Sequence, residues 1–247
     1  SYFADEPYVL NNNNIYGQWP FLAFIDTYFG FDFVNLIWVY DGGKNMSGWK
    51  TIFYYINLFH LQFGTISVCD LIFEYSKYAT LIEFYPPGDL CGDELREYRK
   101  MHVTSQSRFT SLELIDGLFK PVVGAGTAHT PIHYNSIPPL KRFGFRLHNI
   151  YITNSYIEEC SVILDCHFTL KVALMTYDSL QNEGKTMIEQ RGTHIQLDIR
   201  SSDIGNKNII LLVFAYKNEY SEFPTSLGEF DAMDEFEYTV NLNNMNT

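Results

Sequence analysis

The chain has 247 residues, 46% of them hydrophobic and 19% charged, so it can bury a substantial core as one domain without disulfides or a metal. Its 29 acidic and 17 basic residues leave a net charge of −12, which argues against nucleic acid or an anionic membrane surface as the main partner. Aromatic residues make up 17% of the chain, and because they supply large contact areas, this composition favours burial and assembly.

Residues 1–6 are polar and acidic, so no secretory signal is expected there. The apolar stretch 21–40 has the length of a membrane span, but it contains Asp26 and Asp32 and is broken by Gly30. We therefore expect it to be buried in the protein. Four scattered cysteines favour free thiols in a reducing compartment, with a disulfide pair as the alternative: Cys69, Cys91, Cys160 and Cys166.

A helix is predicted at about 20–30, because proline at position 20 suits a first helical turn and Gly30 suits a helix end. One interpretation packs this helix on the protein's own core. The other makes it an arm that docks on another subunit, within an N-terminal segment 1–40 that precedes a core at 41–247, the whole forming a single domain. The candidate assembly contacts follow helical spacing and are Trp19, Phe21, Phe24, Ile25, Tyr28 and Phe29.

Most of the remaining chain predicts strands, at 51–63, 145–152, 160–171, 195–200, 209–216 and 235–242. Segments 66–75 and 80–85 predict a hairpin, and 93–101 predicts a second helix. In 160–171 the alternation places one set of side chains on one face: Cys160, Val162, Leu164, Cys166, Phe168 and Leu170. We therefore expect a mainly β protein, a compact antiparallel β-sandwich with an N-terminal helix and one or two further short helices.

No pattern assembles an active site. His129 and His133 are separated by a proline that forbids a shared helix face, and the loop 124–127 lacks the ending of a phosphate-binding loop. Asp165, Cys166 and His167 are consecutive in a predicted strand, so the thiol faces away from the other two. We predict no catalytic residue, no metal site and no required cofactor. A hydrolase would need Asp, His and Ser or Cys to converge in space, and a deep pocket that holds His129, His133 or His167 beside a carboxylate would indicate one.

Residues 66–102 combine a strand at 67–75, a short link, a second strand, a polar loop and the run Leu95-Arg96-Glu97-Tyr98-Arg99 on a helix. This arrangement resembles the cypovirus (cytoplasmic polyhedrosis virus) polyhedrins, which crystallise around virus particles in infected insect cells. The chain length and the 18 tyrosines are also similar to that family. The basic N-terminal helix of the family has no counterpart in the apolar and acidic segment of this chain.

The resemblance implies a structural protein that self-assembles as homotrimers into the crystalline matrix of viral occlusion bodies in the host cytoplasm. Such a matrix embeds virions and dissolves at alkaline pH. The resemblance also implies that nucleoside triphosphates are sometimes trapped between subunits, without indicating which residues hold them. Partners would be other copies of the chain and virus particles, with no sequence-specific nucleic acid and no membrane. The alternative is a β-sandwich binding or toxin-like module whose aromatic surface meets a glycan or a lipid.

Overall fold

The computed structural model describes residues 19–29, 33, 35, 39, 48–81, 132–135, 140–141, 144–152, 159–178, 183–204, 208–217, 235–243 and 245–246. The helices are α1 (Trp19–Phe29), α2 (Gly48–Phe63), α3 (Val68–Leu81) and α4 (Ser201–Ile204). The strands are β1 (Ile132–Asn135), β2 (Leu140–Lys141), β3 (Phe145–Ile152), β4 (Glu159–Asp178), β5 (Glu183–Arg200), β6 (Asn208–Ala215), β7 (Glu235–Phe236), β8 (Tyr238–Asn243) and β9 (Met245–Asn246).

The described residues form a mainly β fold, as predicted, with few short helices. Seven strands make one antiparallel sheet in the order β1-β8-β4-β6-β3-β9, with β5 paired to β4. Strands β2 and β7 form a separate antiparallel pair.

The sheet curls because β4 changes neighbours along its length. Residues 161–166 of β4 pair with β8 and residues 170–177 pair with β6, while β5 pairs with residues 159–165 and 170–178 along the opposite edge of β4. The β4–β5 register shifts between these two segments, and such an irregularity bends a strand and increases its twist. As a result β3 and β8, which are not neighbours in the sheet, meet: the His148 Nε2 atom lies 2.7 Å from the Tyr238 hydroxyl oxygen.

The concave face of this sheet carries the main hydrophobic core. Strands β3, β4, β5, β6 and β8 all contribute buried side chains, among them Ile150, Val162, Leu164, Val172, Leu174, Leu197, Leu211, Val213 and Val240. Strand β6 is buried from 209 to 215 because its other face packs on α3, where the rings of Phe73 and Phe214 lie 5.7 Å apart. A strand that is covered on both faces requires an unbroken apolar run, which β6 has.

Several sequence predictions are confirmed. The N-terminal helix is present as α1, and the predicted strands at 145–152, 160–171, 195–200, 209–216 and 235–242 coincide with β3, β4, the end of β5, β6, and β7 with β8. In β4 the predicted inner residues 160, 162, 164 and 170 are buried. Phe168 lies where the register of β4 shifts and is 45% exposed, and its ring lies 5.1 Å from that of the buried Phe236.

Two strand predictions are wrong. Segment 51–63 lies in α2, and segment 66–75 forms the start and most of α3, so the predicted hairpin with 80–85 does not form. The reason for α3 is a helical stripe of buried side chains together with a helix start at Ser67, whose Oγ accepts a hydrogen bond from the Asp70 N–H at 3.1 Å. Helix α2 ends at Gly64, where a φ of 65° lets its N–H donate to the His60 carbonyl at 2.9 Å.

Candidate functional site

The residues predicted as assembly contacts lie on α1, and the structure distinguishes them by exposure. Phe24 and Ile25 are buried within the chain itself. Phe29 is half-buried, whereas Tyr28 is 42% exposed. Among the side chains described on α1, Tyr28 is therefore the one most accessible to another molecule. The structure describes the helical backbone, and not the side chains, of the remaining two contacts, Trp19 and Phe21.

A continuous series of aromatic rings joins α1, α2 and α3. We call this series the aromatic row; in spatial order it contains Tyr75, Phe24, Tyr28, Phe29, Phe33, Phe59 and Phe63. Neighbouring ring centroids are 4.4 to 5.7 Å apart, within the range at which aromatic pairs attract each other. The row therefore holds the three helices together through ring contacts.

The aromatic row reaches the surface at two points. One is Tyr28, and the other is Phe63 in the last turn of α2, which is 68% exposed. Leu61 lies in the same turn and is 74% exposed. We call Leu61 and Phe63 the apolar tip. Neighbouring exposed apolar side chains that continue into a buried cluster are typical of interaction surfaces, whereas isolated ones are ordinary.

A polar network beneath the helices fixes α3 on the sheet. The Asp70 carboxylate accepts hydrogen bonds from the Ser67 hydroxyl at 2.6 Å, the Lys171 ammonium at 2.7 Å and the Tyr216 hydroxyl at 3.2 Å. Arg191 donates to the same Tyr216 oxygen at 3.0 Å. We call this group of five residues the Asp70 network. It joins α3 to β4, to β5 and to the end of β6.

The Asp70 network shifts the protonation of its members. Burial alone would raise the pKa of Asp70, but hydrogen bonds from Lys171 and Ser67 outweigh it, so the pKa lies below its ordinary value. Burial, and then the negative charge of Asp70, raise the pKa of Tyr216. The carboxylate is therefore ionised and the phenol neutral at neutral pH, which is the state that the hydrogen bonds require.

A second ion pair joins α3 to β5. Lys77 lies 2.8 Å from Glu74 on its own helix and also forms an ion pair with Glu189. Burial would lower the pKa of Lys77, but its hydrogen bonds to Glu189 and Glu74 raise it overall. The Asp70 network and the ion pairs of Lys77 each join a residue of α3 to residues of the sheet, which indicates that they position α3.

Among the described residues, the groups with catalytic potential include Asp165 and the Cys166 thiol on β4. Asp165 and His194 form an exposed pair at 2.6 Å. Burial raises the pKa of the Cys166 thiol, and backbone hydrogen bonds from Phe168 and His167 offset this only in part, so the thiol is a poor nucleophile at neutral pH. No group of three or more His, Cys, Asp or Glu side chains in this part of the chain is placed to hold a metal ion.

Several sequence predictions fall outside the described residues. These are the helix at 93–101, the loop 124–127, and the residues Cys91 and His129. His133 lies on β1, where only the backbone is described. Sequence reasoning missed the Asp70 network, although the Ser67-x-x-Asp70 spacing is that of a helix capping box and could have identified the start of α3.

A search of protein-family models and a search of curated proteins each found no match to this chain. Within the described residues, no single helix is long and apolar enough to cross a membrane. Taken together, 52–63 and 68–77 reach the required length and composition, although they meet at a bend of 111°. The second of these segments is packed on the sheet through Phe73 and the Asp70 network.

Proposed function

We propose that this chain is a non-enzymatic structural protein that assembles with copies of itself. The observation that carries the proposal is the aromatic row, which opens on the surface at Tyr28 and at the apolar tip. Burying a large apolar side chain contributes about 1.5–3 kcal/mol. Because Leu61 and Phe63 are about three-quarters and two-thirds exposed, each can still contribute about 1–2 kcal/mol to an interface.

The resemblance to the cypovirus polyhedrins supplies the proposed setting. There the chain forms trimers that pack into the crystalline matrix of occlusion bodies in the cytoplasm of an insect cell, and the curled sheet closes as a compact β-sandwich. Helix α3 occupies the segment in which that likeness requires a strand. The proposal therefore rests on the aromatic surface, and the polyhedrin setting is its most specific form.

The test is electron microscopy of cells that express only this chain, combined with sedimentation of the purified protein. The informative variant replaces Leu61 and Phe63 by Ser, which removes exposed apolar surface and leaves the buried rings in place. The control is Phe168→Ser, which alters a partly exposed aromatic residue on the sheet, one that also packs on Phe236. We expect ordered particles from the native chain and the control, and a folded, non-assembling protein from the double variant. A native chain that stays monomeric at millimolar concentration contradicts the proposal.

A second candidate function is that of a lipid-binding module, and the bent helix pair favours it. Segments 52–63 and 68–77 have the composition of a membrane span, and the apolar tip lies at the bend between them. Because the net charge of −12 opposes anionic lipids, the test is flotation with zwitterionic phosphatidylcholine vesicles. Flotation that is lost in the Leu61→Ser/Phe63→Ser variant, by a protein that forms no particles, favours this function over self-assembly.

A further inference from the structure

Strand β5 lies at an edge of the sheet formed by the described strands. It runs for 18 residues, and among the described strands it pairs only with β4. We call the side of its backbone that faces away from β4 the β5 edge. An edge strand presents a row of N–H and C=O groups that can pair with a strand of another chain.

The middle of the β5 edge is regular. Residues 188–192 pair with β4 in unbroken register, and β5 itself has one unpaired residue on each side of this stretch: Met187 before it and Thr193 after it. At the second of these positions, residues 166–169 of β4 are not paired with β5 either. Both interruptions lie three positions from Gln190. A two-fold axis through Gln190 would therefore place the regular stretch of one copy against that of another and would place Met187 opposite Thr193.

The charges in this stretch are complementary under the same symmetry. Antiparallel pairing about Gln190 places Glu189 of each copy opposite Arg191 of the other, so that two opposite-charge pairs form. Ile188 then lies opposite Gly192, which has no side chain to obstruct it. The three central side chains, Glu189, Gln190 and Arg191, are exposed. By contrast, pairing about Asp198 would place that carboxylate against its own copy.

The intrachain bonds of these residues leave capacity for a partner. Lys77 occupies one oxygen of the Glu189 carboxylate, and Tyr216 occupies one N–H group of the Arg191 guanidinium. A carboxylate has a second oxygen and a guanidinium has further donors. The two interfacial pairs therefore form without breaking the contacts that position α3.

We infer that two copies of this chain join through the β5 edge, antiparallel and centred on Gln190, so that the curled sheet continues from one copy into the next. This inference rests on the proposed self-assembly and names one of its contacts. The two-fold axis is perpendicular to the sheet, so α3 of both copies lies on the same side of the joined sheet. Backbone hydrogen bonds hold the contact, and the charge pairs set its register.

Charge reversal provides the first test. Glu189→Arg and Arg191→Glu each place like charges opposite each other in a homodimer, so we expect association of either variant alone to fall at least about tenfold. An equimolar mixture restores opposite charges at both pairs, and we expect association to return. The control is Asp198→Arg, which reverses an exposed carboxylate outside the regular stretch and should leave association unchanged. Circular dichroism establishes that each variant is folded, and analytical ultracentrifugation measures association.

Cross-linking provides a second test that keeps both charges. Because Gln190 lies opposite itself in this register, Gln190→Cys should form a disulfide-linked dimer under mild oxidation. Gln196→Cys is the matched control, an exposed glutamine on the same strand that lies opposite position 184 in this register. We expect the dimer from Gln190→Cys to exceed that from the control and from the native chain by about tenfold.

The outcomes separate the two proposals. If the native chain assembles but Gln190→Cys forms no more dimer than Gln196→Cys, the β5 contact is overturned and self-assembly stands. If the native chain assembles but the mixed charge variants do not associate, the β5 contact is likewise overturned and self-assembly stands. If the native chain remains monomeric, both proposals are overturned, and the charges and irregularities of β5 then serve to protect the edge from pairing.

Discussion

The ion pair between Asp70 and Lys171 should contribute measurably to stability, although its partners are 101 residues apart in sequence. The perturbations are Asp70→Asn, Lys171→Met and the two combined. Asp70→Asn removes the charge from a group that accepts three side-chain hydrogen bonds. Lys171→Met removes the ammonium, which also lies 4.4 Å from the centroid of the Phe73 ring, and keeps a side chain with an apolar stem. The double-mutant cycle isolates the energy of the pair itself.

The degree of burial sets the expected magnitude. Two unit charges at 4 Å attract by about 4 kcal/mol at an effective dielectric constant near 20 and by about 1 kcal/mol in water. The side chains of Lys171 and Asp70 are 17% and 29% exposed, so the pair lies between these limits, and desolvation offsets part of the attraction. We expect a coupling energy of about 1–2 kcal/mol, with a total cost of about 2–3 kcal/mol for Asp70→Asn.

The assay is urea unfolding followed by circular dichroism, in which Asp70→Asn should lower the midpoint by about 1 M. A comparison is the pair Asp165–His194, which has a similar distance of 2.6 Å but side chains that are 51% and 65% exposed, and in which the histidine is charged only when protonated. Its coupling energy should stay below about 0.5 kcal/mol. Equal coupling energies for the two pairs would refute the argument that burial decides their strength.

The same network predicts an acid limit to stability. The pKa of Asp70 is lowered in the folded chain. The contribution of Asp70 to the free energy of unfolding is therefore complete above its unfolded pKa of 3.8, and it is lost as the pH falls through its folded pKa. The unfolding midpoint of the native chain should therefore decrease below about pH 4, and that of Asp70→Asn should decrease less. Parallel decreases in the two proteins would assign the acid limit to other carboxylates.

Three further measurements follow. Burial raises the pKa of Tyr28 and Tyr216 in the folded chain. Their contribution to the free energy of unfolding is therefore complete below their unfolded pKa of 10.0, and it is lost as the pH rises through their folded pKa. Particles of the proposed assembly should accordingly dissolve above about pH 10 in a turbidity assay, and dissolution already complete at about pH 8 would contradict this. Gly64→Ala should cost about 1 kcal/mol in urea unfolding because φ is positive there, and Gly64→Asn should cost less. Tyr238→Phe removes the buried hydroxyl bonded to His148 and should cost about 1–2 kcal/mol by the same assay.

Segment 67–75 illustrates why local patterns led to a wrong prediction. It is rich in β-branched and aromatic residues, which favours a strand. Its buried residues nevertheless recur at helical spacing, and the capping interaction of Ser67 with Asp70 begins a helix. The apolar run of β6 could be predicted as a strand because it is short, contains the β-branched residues Ile209, Ile210 and Val213, and follows a polar segment.

For the candidate surfaces, too, the sequence predicted the secondary structure but not the exposure of its side chains. The spacing of Phe24, Ile25 and Tyr28 predicted α1, but the sequence contained no information on which of them would be covered by α3. Only the packing of Phe24 on Tyr75 decided that Phe24 is buried and Tyr28 is open. The position of β5 at the edge of the described sheet could not be predicted from the sequence either, because an alternating strand has the same pattern at the centre and at the edge of a sheet.

The sequence by itself determined the mainly β class, the N-terminal helix and most strand positions, because apolar periodicity and turn residues act over a few neighbouring positions. Tertiary structure alone decided that β4 changes partner at its register shift, that Asp70 meets Lys171, and that the aromatic row opens at the apolar tip. These features depend on which elements pack together. That choice is made by the total area buried and the polar groups satisfied across the whole chain, which no local window of sequence contains.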